Sequence, residues 1–218
     1  MTFFDTSKSI LENLYLISGP ILAILGFAAI LQLRLTKKAI VISSKRQAAE
    51  LASKQIEYYT NNIIPLQDEL FDIEENQNIS RLRFTDLKHF TFEEVKAKVN
   101  NFESIEEQSN KSVININRIL RIINAMESFS TYFTKGVADE EIAYSSIGRT
   151  FCHSVETYAF DISFMRPEKD PEAFSNLVSL YEIWKSRINS EKISKELLKK
   201  QMELQNIKTK KIAILGEK

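Results

Sequence analysis

Between Leu14 and Leu33 the chain reads LYLISGPILAILGFAAILQL, with no charged side chain and one amide, Gln32, near its end. A helix needs about 20 apolar residues to cross roughly 30 Å of hydrocarbon, where backbone groups must satisfy one another. The pattern therefore predicts a transmembrane helix over 13–34, preceded by an extracytoplasmic segment, 1–12. From Ala39 to about Asn61 the pattern changes to AIVISSKRQAAELASKQIEYYTN, rich in strong helix formers and free of Gly and Pro, which predicts a stalk helix over 35–62. Its apolar positions, Ile40, Leu51, Tyr58 and Tyr59, are too sparse for a sustained heptad repeat.

Pro65 is expected to reset the chain before a short amphipathic helix carrying Leu66, Leu70 and Ile73. The stretch 79–112 mixes Arg81, Arg83 and Lys88 with Phe84 and Phe90. Interleaved bases and aromatics suit single-stranded nucleic acid, and equally suit a solvated connection anchored by its rings. Thr91 followed by Glu94 is a capping-box pattern, and Phe92, Val95, Val99 and Phe102 recur at helical spacing, predicting a helix from Phe92 to about Glu103.

The strongest cytoplasmic helix is predicted over Val113 to Lys135, with Ile116, Ile119, Leu120, Ile122, Ile123, Met126, Phe129 and Phe133 on one face and Gly136 as its left-handed stop. Glu127 falls within that face, so it either edges the buried stripe or pairs with a cation. A further helix is expected from Asp139 to about Met165. Its core face is Tyr144, Ile147, Phe151, Val155, Tyr158 and Ile162, and Arg149, His153 and Glu156 line the far side together with Ile142, Phe160 and Phe164. Asp170 as N-cap and Pro171 at the first helical position open a last helix with Phe174, Leu177, Val178, Tyr181, Trp184 and Ile188 in a stripe. Domain 63–189 is thus expected to be a cytoplasmic helical bundle, followed by a charged helical tail, 190–218, frayed or ordered by assembly.

Charge sets the topology. Asp5, Lys8 and Glu12 precede the apolar run, and Arg34, Lys37, Lys38, Lys45 and Arg46 follow it. That is the reverse of a secretory signal, and by the positive-inside rule it places the N-terminus outside and everything after Arg34 in the cytoplasm. Gly19, Ala23 and Gly26 share one face of the span, a small-residue surface on which copies could approach closely. The formal net charge of the 218 residues is +0, so no global field favours phosphate backbones, and nucleic acid would need a local patch. One cysteine, Cys152, excludes an internal disulfide, and with only His89 and His153 no zinc pattern or other metal or cofactor motif is present.

The arrangement that could carry chemistry is Arg149-Thr150-Phe151-Cys152-His153. One turn apart, a permanent cation and an imidazole could share a phosphodiester, Arg149 neutralising developing charge while His153 moves a proton. This resembles the Arg-to-His motif of the HEPN ribonuclease superfamily, which leaves four to six residues between the two where this chain has three. The alternative is that Arg149 and His153 pair with Glu156, or with Glu127 of a neighbouring helix, and fix packing at a buried or interface position.

A broader resemblance rests on the apolar helix, the basic stalk, the segment NRILRIINAMESFSTYFTKGVADEEIAY with Asn124, Glu127, Gly136 and Asp139, the helix bearing Arg149, and the ending YEIWKSRI. Together these are similar to small single-pass bacterial membrane proteins, among them the membrane accessory proteins of type VI-B CRISPR systems with a divergent HEPN-like domain. The resemblance implies an all-α HEPN-like bundle, a homo-oligomer whose membrane helices surround an opening, and a functional link to an RNA-guided nuclease in antiviral defence. Three functions stay open: a membrane-perturbing oligomer, a tethered ribonuclease using Arg149 and His153, and a passive scaffold for a cytosolic partner.

Overall fold

A computed structural model describes residues 3–79, 81–85, 87–99, 109–110, 113–166 and 172–208. Every element among them is helical: α1 (Phe3–Tyr58), a π turn (Tyr59–Ile63), α2 (Ile64–Asn76), α3 (Phe92–Lys98), α4 (Ile116–Thr134), α5 (Glu140–Thr157), α6 (Ala159–Met165) and α7 (Ser175–Lys208). No strand occurs among the described residues. The chain divides into two compact units, Met1–Ala48 and Ala49–Lys218.

The first unit is helix throughout its described length, and from Ser18 to Arg46 every residue is exposed. An 18-residue window here reaches a mean hydropathy of 1.6 with none of it buried. The long apolar helix expected from the pattern is therefore present, and nothing in its own unit covers it.

The second unit begins earlier than the pattern suggested. Ala52 and Tyr59, assigned by sequence to the stalk, are fully buried in the core. Pro65 does not reset the chain either. The helix widens into the π turn, where Ile64 N–H bonds to Tyr59 O, and Pro65, which has no N–H to give, follows directly in the first turn of α2. Shifting the hydrogen-bond ladder by one residue accommodates the proline without breaking the rod.

The core is an aromatic cluster around Trp184 of α7. Phe151 of α5 lies 5.0 Å away between ring centroids, Phe133 6.0 Å and Phe129 6.4 Å, the last two from α4. Tyr59 packs its ring 5.0 Å from Phe129 and donates its hydroxyl to Ser154 Oγ at 3.0 Å. Helix α4 follows its apolar pattern, burying Ile119, Ile122, Ile123, Met126, Phe129 and Phe133. It ends where Gly136 adopts φ +66, with Val137 and Ala138 N–H returning to Tyr132 O. This left-handed geometry is cheap for glycine alone.

Three further expectations change. Helix α3 stops at Lys98 with Val99 extended, and the expected continuation to Glu103 lies outside the described residues, as do Asp170 and Pro171. Thr91 does cap α3, accepting from Glu94 N–H at 3.3 Å, but Glu94 bonds the backbone N–H of Lys88, His89 and Phe90 instead of returning to Thr91. The expected single helix from Asp139 to Met165 breaks at Tyr158, although no Gly or Pro marks the place. All residues from Tyr158 to Ser163 are buried, which one stripe on a straight helix cannot achieve, so the chain turns at Tyr158 to bury Ala159 to Ser163 before Phe164 emerges to solvent. Helix α7 continues to Lys208, and the tail beyond Ser190 is helical with Ile193, Leu197, Leu198, Met202 and Leu204 exposed.

Glu127 neither edges the stripe idly nor meets a cation. Its carboxylate accepts Asn176 N–H at 3.3 Å, Asn176 Nδ2 at 2.7 Å and Leu177 N–H at 2.7 Å. It thereby satisfies donors in the first turn of α7 and complements the positive end of that helix dipole. Glu127→Ala is expected to cost on the order of 2 kcal/mol, read as a lower urea midpoint, with Glu127→Gln losing less.

Candidate functional site

The stretch between α2 and α3 holds two arginines that organise the polar interior. Arg81 sends Nε and Nη2 to the two oxygens of Glu74, at 2.7 and 2.5 Å, and Nη1 to Asp161 Oδ2 at 2.5 Å. Its guanidinium also lies 5.2 Å from the centroid of the Tyr158 ring. This two-pronged geometry suits a guanidinium and not an ammonium. Two residues on, Arg83 pairs with Glu156 Oε2 through Nε and Nη2. The other oxygen of Glu156 accepts Lys185 Nζ at 2.5 Å and the Tyr181 hydroxyl at 3.2 Å, both from α7.

Glu156 is therefore not on the far side of its helix with Arg149 and His153. It is 2% exposed and faces α7 and the 81–85 strap. Burial pushes its carboxyl pKa up, but hydrogen bonds from Lys185 and Arg83 outweigh that and hold it below the usual range. Cys152 shows the opposite balance: burial, reinforced by the Glu156 charge, pushes its thiol up to about 12. This cysteine is buried and inert, unlike the exposed, cation-flanked thiols that react.

A cleft of about 450 Å³ opens beside the arginines, lined by Glu74, Glu75, Arg81, Arg83, His153 and Thr157 among others. His153 is exposed at its rim, and Thr157 Oγ1 donates to the His153 carbonyl at 3.0 Å. Arg149 is not part of that lining. It stands 71% exposed, 3.4 Å from Glu191 of α7, which also takes the Tyr144 hydroxyl at 2.6 Å. The structure thus brings His153 toward Arg81 and Arg83, and sends Arg149 to the tail helix. Neither pairs with Glu156 or Glu127.

Charge counting limits what the cleft can bind. Arg81, Arg83 and Lys185 are matched by Glu74, Asp161 and Glu156, and Glu75 adds a further negative charge at the lining. A phosphodiester would meet cations already committed to carboxylates. A second groove, of about 460 Å³, runs along the π turn and α4, with Asn61, Asn62, Arg121, Asn124 and Ser128 in its walls. Among the described residues no group of three His, Cys, Asp or Glu side chains is placed to hold a metal ion. Gly19, Ala23 and Gly26 lie exposed on α1, and a Cβ added at either glycine would meet nothing within 4 Å.

Sequence reasoning missed that Arg81 and Arg83 are the cations held by Glu74, Asp161 and Glu156. The available signal was Asp161 inside the apolar run Phe160-Asp161-Ile162, since a carboxylate there demands a buried cation. The alternation of Arg81 and Arg83 with Leu82 and Phe84 could have supplied it.

A helical domain with neutralised buried ions and an exposed apolar helix describes the class of protein. The chain belongs to the family described as a domain of unknown function, DUF4760, whose model matches residues 20–184. No curated protein and no solved structure matches the chain.

Two outcomes follow for the buried ions. Arg81→Met removes the cation shared by Glu74 and Asp161 and is expected to cost about 3 kcal/mol or more in urea unfolding. Because the Glu156 pKa is lowered on folding, its contribution is complete above the ordinary carboxyl range of about 4.3 and fades as pH falls through the lowered value. Urea midpoints should therefore drop below about pH 4, with a shallower dependence in Glu156→Gln. Cys152 should stay unmodified by an alkylating reagent until the protein unfolds, in a time course followed by mass spectrometry.

Proposed function

We propose that this protein is a single-pass membrane protein, N-terminus outside, whose helical domain acts in the cytoplasm by assembling copies, not by catalysis. The observation that carries this reading is the stretch from Ser18 to Leu33, apolar, helical and fully exposed in its own unit. Such a surface is stable in lipid and a liability in water. The exposed small-residue face of Gly19, Ala23 and Gly26 supports helix association within the bilayer, because without side chains between them backbones can approach closely. The exposed apolar residues of the α7 tail offer a second surface for assembly.

Membrane perturbation by such an oligomer, as an accessory or effector of RNA-targeting antiviral defence, fits the resemblance to the membrane accessory proteins and a HEPN-like bundle. The geometry disfavours the ribonuclease. Arg149 is engaged by Glu191 and outside the cleft that His153 edges, and the cations inside that cleft are neutralised.

The test reads oligomer size, membrane potential in expressing cells and RNA cleavage on one set of proteins. Wild type is expected to form oligomers, depolarise cells and cut no RNA. A Gly19→Leu, Gly26→Leu variant should lose both assembly and depolarisation, while Arg149→Ala and His153→Ala, altering exposed side chains, should change stability by no more than about 0.5 kcal/mol and leave both intact. A wild type that stays monomeric removes the assembly reading. RNA cleavage by wild type that falls roughly 100-fold or more in assembled His153→Ala would establish the ribonuclease instead.

A further inference from the structure

The first unit carries a charge pattern that its own chain does not answer. No acidic residue occurs between Glu12 and Glu50, and Arg34, Lys37, Lys38, Lys45 and Arg46 are all exposed on helix α1. The carboxylate nearest in sequence, Glu50, is taken by Lys54 at 2.7 Å. The buried arginines and lysine of the second unit contrast with them: Arg81 is held by Glu74 and Asp161, and Arg83 and Lys185 share Glu156.

Their axial positions separate them into two groups. A helix rises about 1.5 Å per residue, which puts Lys38 roughly 6 Å and Arg46 roughly 18 Å beyond Arg34. A bilayer of about 40–45 Å with a core of about 30 Å leaves a headgroup layer of roughly 5–8 Å on each side. With 14–33 filling the hydrocarbon, Arg34, Lys37 and Lys38 fall inside that layer. Lys45 and Arg46 lie beyond it by more than a Debye length of about 8 Å at physiological salt. Arg34, Lys37 and Lys38 are also related by three and four residues, so they share one side of the helix. A guanidinium and two ammonium groups on one side match the phosphate oxygens of anionic lipids, and the flexible stems let the charges reach the headgroup plane.

We propose that Arg34, Lys37 and Lys38 form a binding collar for the headgroups of anionic phospholipids at the cytoplasmic end of the membrane helix. This rests on the membrane-spanning reading and names the partner of that helix. Zwitterionic lipids, which carry their own ammonium, are held less well, so the collar selects the lipids that surround the protein. The two outer cations, Lys45 and Arg46, take no part in that selection.

The test uses the full chain reconstituted in phosphatidylcholine vesicles doped with spin-labelled phosphatidylglycerol or spin-labelled phosphatidylcholine. The readout is the fraction of each label immobilised by the protein. Wild type is expected to hold phosphatidylglycerol at least about threefold in preference, falling toward parity in 1 M salt. The Arg34→Gln, Lys37→Gln, Lys38→Gln variant should lose the preference, and Lys45→Gln, Arg46→Gln should keep it. Equal immobilisation of both lipids by wild type, or equal loss in both variants, overturns the collar. So does abolition of the preference by about 10 mM inorganic phosphate at fixed ionic strength, which would mark a site for soluble phosphate. Alkaline carbonate washing of the same vesicles tells the two ideas apart. Release of the protein overturns the membrane reading and the collar with it, whereas retention without lipid preference overturns the collar alone.

Discussion

Taking a carboxylate out of water costs several kcal/mol unless cations and donors come with it, and Glu156 imposes that demand at the centre of the domain. Its two oxygens are met from two directions, by Arg83 from the strap after α2 and by Lys185 and Tyr181 from α7. Phe84 N–H adds a bond to the Glu156 backbone carbonyl at 3.1 Å, so side chain and main chain hold the same strap. Arg81 repeats the arrangement between α2 and α6 through Glu74 and Asp161. An irregular segment is thus fastened by ions as well as by its buried Phe84, Leu87 and Phe90, while Trp184 and its aromatic neighbours join the long helices.

The same arrangement decides what the polar cleft can do. Charges that hold the fold are not available to hold a ligand, and a site for a phosphodiester needs cations whose partners leave room for one. Arg81 and Arg83 face the cleft but are engaged within it. Five exposed cations lie instead on α1, beyond the apolar stretch, where no acidic residue occurs between Glu12 and Glu50. The buried ions of the second unit are structural and matched, whereas the first unit holds those five cations with no acidic residue among them.

Much of the architecture was legible because it follows from strong local periodicity. The uninterrupted apolar run, the α4 stripe, the Gly136 stop and the Thr91 cap are each set by residues within one or two turns, and each is found where the pattern placed it. What was illegible depends on residues far apart in sequence. The break at Tyr158 has no local breaker, and arises because α6 is enclosed by partners that include Phe84 and Arg81. Glu127 read as either the edge of the stripe or half of an ion pair, since nothing nearby revealed that its partners are amides 49 and 50 residues later. Arg149 and His153 share a helix side by spacing, yet Glu191 of the tail and the cleft beside Arg83 draw them to different surroundings.

The π turn has a consequence for the order of events on the ribosome. Tyr59 is locked by Ser154, 95 residues later in the chain, and by Phe129 and Phe151, which also follow it. At synthesis rates of roughly 5–20 residues per second, that interval lasts on the order of 5–20 s. Residues 14–33 leave the ribosome well before the core that receives Tyr59 exists. The nascent helix is therefore handed to whatever receives apolar segments, the translocation machinery on the membrane-spanning reading, while the domain is still unfolded. On that same reading, placement of the apolar helix precedes and does not depend on the folding that fixes the π turn, and damage to the core would leave an anchored, unfolded domain and not a misplaced anchor.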